Sequence, residues 1–375
     1  MKMNQIAVAR RPDTSASLLG IRLPVMLDVS LLIRGITALC VIWWHTGGYL
    51  LSHPALAFFY VPGRTSVLVF FIISGYVISA GFERRRYSFD MQGLIRFYRN
   101  RLLRIYPLFL LVSGISLVIL ASRGQLPRIG PEWALRQLFM LQWYHNYDLV
   151  GVFWTLGVEV QFYMVASVLF WLQSTRSHRL WVPLVVYGAL AAIPAVAHFL
   201  SGASWDNRTL LGNLAHFQAG LVVHRLIPIS ATLRWTASRR AITSGFALAT
   251  GLVMASNWLY HWQGLYYWMG IGTLLVDVAG VITLVLHAHL ERHSIGGSRI
   301  VAAGSVVGVL SYGLYAWHGF VGTYFPGFRG RFVPTLVASS LLAYASYRMA
   351  ERPMLDLRRS SQQPQTGKAA DGRDN

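Results

Sequence analysis

Apolar residues recur along the chain in windows close to the length needed to cross about 30 Å of hydrocarbon. They fall at 30–51, 65–82, 105–121, 152–172, 181–199, 209–227, 242–259, 265–288, 300–322 and 333–349. The pattern predicts an all-α polytopic membrane protein of about ten transmembrane helices. Polar and basic residues punctuate the windows, and their sidedness tests the count. With both termini cytoplasmic, 25 Lys/Arg fall on the inner side and 7 on the outer, with Arg34 inside the membrane, out of 33 in all. That bias is the one expected for an even number of spans.

The boundaries expected are a cytoplasmic tail at 1–24, a membrane domain at 25–353 and a polar, disordered cytoplasmic tail at 354–375. The first segment is basic with no short apolar core, unlike a secretory signal, and Ala55-Leu56-Ala57 reads as a chance match to a cleavage site. Asn207-Arg208-Thr209 is likewise taken as a chance glycosylation sequon.

Composition agrees with the pattern: 54% hydrophobic and 13% charged residues do not make a soluble chain. The formal charge of +19 is dispersed between apolar runs, which argues for membrane topology and against nucleic acid as a partner. Cys40 is the single cysteine, so no internal disulfide is expected, and it points about 140° from His45 around the helix.

The first window carries two residues that a bilayer disfavours, Arg34 and His45. Eleven steps of about 100° return to nearly the same direction, so both share one helix face, roughly 16 Å apart. Arg101 and Arg104, at i and i+3, can grip phosphates or can simply mark the inner side, and Pro107 is expected to start the following span. Ser74-Gly75 permits close helix approach or offers a hydroxyl to a substrate. Glu159 sits in the fourth window, either protonated or paired, with Trp154 near the interface. Asp277 is the other deep acid, with nothing nearby in sequence to give it a role. His318 follows Tyr312 and Tyr315 in the ninth window, as part of an acceptor pocket or as an interface histidine.

The order of these motifs is more specific than any one of them: RGITALCVIWWH, FFIISGYVIS, RNRLLRIYP, FWTLGVEVQFY, SYGLYAWHGF and AERP at 350–353. Over Leu27 to about Pro353 the chain resembles the acyltransferase-3 family, in its short stand-alone form. The family's common glutamate doublet is here Glu159-Val160. The resemblance implies an inner-membrane, multi-pass O-acyltransferase that moves an acyl group, most often acetyl, from cytoplasmic acyl-CoA to a hydroxyl of a surface carbohydrate or lipid-linked glycan. It implies His45 and Glu159 as catalytic residues and Arg34, Arg101 and Arg104 as the acyl-CoA site. Ser74, Trp154, Tyr312 and His318 are candidates for the acceptor pocket. No metal or resident cofactor is expected, acyl-CoA being a co-substrate. A pantetheine arm, roughly 15–20 Å long, is comparable to the rise between Arg34 and His45. His45 would act as general base or accept the acyl group itself. The alternative is a transporter or flippase, although no related halves are visible. A purely structural scaffold leaves the buried ionisable residues unexplained.

Overall fold

The computed structural model describes residues 17–18, 21–22, 29–47, 61–84, 86–126, 131–141, 149–176, 180–201, 208–232, 239–263, 270–292 and 299–360. Among the described residues the fold is all-helical apart from a bridge of two-residue strands, β1 (Ser17–Leu18) and β2 (Ile21–Arg22). The helices are α1 (Val29–Thr46), α2 (Gly63–Glu83), α3 (Met91–Ser122), α4 (Pro131–Leu138), α5 (Trp154–Arg176) and α6 (Trp181–Ser201). Then come α7 (Leu214–Thr232), α8 (Arg239–Gln263), α9 (Ile271–Arg292), α10 (Arg299–Tyr324), α11 (Phe332–Ser346) and α12 (Arg352–Ser360). Five helical segments, in α2, α3, α5, α8 and α9, are long and apolar enough to cross a membrane among the described residues. Their outward faces carry large apolar side chains, such as Leu110 at 49%, Val118 at 69% and Val168 at 55% exposure, which water would disfavour and lipid accepts.

Because lipid is as apolar as the side chains, close packing and hydrogen bonds hold these helices together. Helix α2 is the hub, packed on α1, α5, α7 and α9, while α1 lies along α10. Glycine makes both main contacts possible. A Cβ on Gly75 would stand 2.0 Å from the Phe217 carbonyl oxygen, and one on Gly220 would stand 2.1 Å from that of Ile72. Nothing larger fits between α2 and α7. Likewise a Cβ on Gly308 of α10 would meet the Leu31 carbonyl oxygen at 2.1 Å, drawing α10 against α1. Phe217 then stacks on Phe71 and on Phe162, at ring-centre distances of 4.6 and 3.9 Å, tying α2, α5 and α7 into one core.

One expectation is corrected. Pro107 does not start a helix; it lies inside α3, a continuous 32-residue helix starting at the Asp90 cap, whose side chain accepts from Gly93 N at 2.7 Å. At 1.5 Å per residue it is about 48 Å long, so its basic first half extends beyond the bilayer. The interior proline removes one backbone donor, and nearby the Tyr312 hydroxyl donates to the Ile105 carbonyl at 2.7 Å, fixing α10 to α3 there.

Candidate active site

Two cavities adjoin along α1. The smaller, about 60 Å³, is lined by Arg34, Ser74, Arg104, Glu159 and Tyr312 among others. The larger, about 610 Å³, is lined by His45, His318, Trp154, Arg64, Arg208 and Arg329 among others. Val67 and Tyr315 belong to both walls. Arg34 and His45 therefore line two neighbouring cavities that share Val67 and Tyr315 as wall, as two residues eleven apart on a helix can.

Glu159 is the hub of the smaller cavity. Its Oε1 accepts from Ser74 Oγ at 2.8 Å and from the Tyr163 hydroxyl at 2.5 Å. Two hydroxyl donors converge on that one oxygen and hold the carboxyl group in place. Arg104 lines this cavity, whereas Arg101 is buried, its guanidinium carbon 5.5 Å above the Phe97 ring and 5.4 Å from that of Tyr163. The i, i+3 pair thus splits its work, with one cation at the cavity and one stacked behind it.

In the larger cavity His318 Nε2 lies 3.1 Å from His45 Nδ1, and His318 Nδ1 lies 3.2 Å from the Leu314 carbonyl oxygen. A carbonyl can only accept, so His318 Nδ1 holds the proton. With both rings neutral, His318 Nε2 then accepts and His45 Nδ1 donates, which leaves the lone pair on His45 Nε2. His318 is 2% exposed, while His45 is open to the cavity. One ring is fixed and the other is reachable. Tyr315 packs edge-on to His318 at 5.5 Å, and its hydroxyl donates to the Val152 carbonyl at 3.0 Å with Thr155 Oγ1 2.9 Å away.

The residues singled out in the sequence divide between the two cavities. Arg34, Arg104, Ser74, Glu159 and Tyr312 share the smaller one, and His45, His318 and Trp154 the larger. Glu159 is not among the residues lining the His45 chamber; the ring that meets His45 is that of His318. Trp154 carries the Arg64 guanidinium 4.8 Å from its ring centre and that of Arg208 at 5.9 Å. Sequence reasoning missed Arg64 and Arg208, which read as ordinary loop arginines, and it missed the surroundings of Asp277. His216 Nδ1 lies 2.8 Å from Asp277 Oδ1 and the Tyr187 hydroxyl donates to Oδ2 at 2.8 Å, joining α6, α7 and α9. The asparagine of the sequon lies outside the described residues.

Apolar helices long enough to cross a bilayer, around a cavity lined by two histidines, mark a membrane protein. Residues 31–347 match the family described as an acyltransferase domain, so the chain belongs to the acyltransferase-3 family and is by family a membrane acyltransferase. No curated protein and no solved structure gives a significant match.

Proposed function

We propose that the protein is an O-acyltransferase of the inner membrane, with ten spans and both termini cytoplasmic, acting within its domain at 25–353. It moves an acyl group, acetyl first, from cytoplasmic acyl-CoA to a hydroxyl of a surface carbohydrate at the outer face. The observation that carries this reading is the pair of adjoining cavities, with the cations Arg34 and Arg104 in one and the His45–His318 pair in the other. Phosphates held at the arginine end, with Arg101 behind, would direct the thioester along α1 towards His45. His45 Nε2 takes the proton of the acceptor hydroxyl as its oxygen attacks the thioester carbon. The C–S bond breaks, the ester C–O bond forms, and the departing CoA thiolate recovers the proton from the imidazolium. His318 does not touch the reacting atoms; it orients His45. Glu159 keeps Ser74 and Tyr163 in place on the donor side.

The test is labelled acetyl-CoA supplied to the protein in liposomes with surface glycan on the opposite side. Label should appear as a base-labile ester on the glycan without net solute flux. The His45→Ala protein, folded in the membrane, should leave the glycan unlabelled; undiminished acetyl content refutes the proposal.

A further inference from the structure

Three arginines line the chamber beside His45. Arg64 at the start of α2, Arg208 before α7 and Arg329 after α10 reach it from three separate parts of the chain, and its lining among the described residues includes no aspartate or glutamate. In the ten-span reading only 7 Lys/Arg lie on the outer side, and three of them border this one cavity. All three are arginine, whose planar fork matches carboxylate and phosphate in a way lysine does not.

They are also placed rather than trailing. Arg64 Nη2 donates to Asn213 Oδ1 at 2.5 Å over the Trp154 ring, and Arg208 approaches the same ring. Arg329 Nε donates to the Gly322 carbonyl at 2.9 Å, one turn beyond His318 on α10. Like charges gathered between low-dielectric walls build a potential that concentrates anions and repels cations. A neutral sugar would gain nothing from it.

Resting on the acyl-transfer reading above, we infer that the acceptor carries an oxyanion close to the hydroxyl that is acylated, recognised by Arg208 and Arg329 with Arg64 and Trp154 as the fixed floor. The oxyanion is supplied either by the carboxylate of an acidic sugar or by the diphosphate of a lipid carrier. The shared chemistry is a bidentate guanidinium–oxyanion contact within reach of His45.

Three probes test this on the full chain in nanodiscs: cellobiouronic acid, cellobiose, which has a hydroxymethyl in place of the carboxylate, and glucose on a polyprenyl diphosphate. Dissociation constants should favour at least one charged probe over cellobiose by about tenfold or more, as for charge-assisted hydrogen bonds. That preference should shrink in the Arg208→Gln/Arg329→Gln protein and at raised salt. Both side chains are exposed, so folding is not at stake, and equal thermal stability checks it. Which charged probe is preferred identifies the source of the oxyanion. Equal affinity for all three, or a preference that survives both substitutions, overturns the inference. CoA release from acetyl-CoA is read separately: its absence alongside a persisting anion preference sinks the acyl-transfer reading and leaves the anion site standing.

Discussion

His45 and His318 lie 273 positions apart in the chain and meet nitrogen to nitrogen at 3.1 Å. Gly308 lets α10 close on α1 about three turns before His318, so a packing residue in one part of the helix pair supports the contact further along it. Both rings line the cavity, but His318 is 2% exposed whereas His45 is exposed, which gives them different roles.

If His318 fixes the tautomer of His45, truncating it should cost turnover more than binding. His318→Ala is expected to lower kcat by about a hundredfold, within the range for a misplaced general base, with KM for acyl-CoA little changed. His318→Gln retains an oxygen able to accept from His45 Nδ1 and should recover much of the loss. Steady-state kinetics on both variants decides it: equal loss in the two, or a change confined to KM, would rule out the positioning role.

The Tyr187–Asp277–His216 cluster is expected to serve stability alone. Asp277→Ala strands a buried histidine and hydroxyl, a change that costs about 3–5 kcal/mol where a buried pair is broken. Asp277→Asn keeps the shape and an acceptor and should cost less. Thermal unfolding in detergent measures both, and kcat per folded molecule should hold; a large kcat loss in a stable Asp277→Asn protein would show a role in the reaction.

Much of this was legible in the sequence because helix periodicity acts within one element. The common face of Arg34 and His45 follows from eleven residues of helix, and the close approach at Gly75 follows from the missing side chain. Pairings between helices were not legible. Nothing local says that His318 faces His45, that His216 faces Asp277, or that Glu159 spends its carboxylate on Ser74 and Tyr163. The proline rule failed at Pro107 because tertiary packing, including the Tyr312 hydrogen bond two residues earlier, supports a helix that local preference would interrupt.

Gly220 gives a test of the packing itself. Its absent Cβ would sit 2.1 Å from the Ile72 carbonyl oxygen, and backbone cannot move aside as a flexible side chain can. Gly220→Ala should therefore separate α7 from α2 and destabilise by about 1–3 kcal/mol, the range for overpacking. Gly188, where an added methyl would have nothing within 4 Å, is the control: Gly188→Ala should be neutral or slightly stabilising. Equal melting temperatures for the two variants would contradict the tight α2–α7 contact.

The last expectation concerns pH and the donor side. Glu351 follows α11 in the π-turn Tyr347–Glu351, beyond the last apolar window. Burial raises its carboxyl from the ordinary 4.5 to about 7, although the Arg104 guanidinium pulls the other way. Below about pH 7 it is neutral and leaves the Arg104 charge to a phosphate; above that it is an anion competing for the same cation. The sign for stability follows. Between 4.5 and about 7 the unfolded chain gives up this proton while the folded chain keeps it, so the group's contribution is present at low pH and lost as pH rises through about 7. For catalysis, KM for acyl-CoA should rise on the order of threefold to tenfold from pH 6 to pH 8, the scale of one partly screened charge interaction. Glu351→Gln should hold KM near its low-pH value throughout. CoA phosphates titrate in the same window, so the comparison is between wild type and variant at each pH, where that contribution cancels. Parallel KM profiles for the two proteins would mean that Glu351 does not tune Arg104.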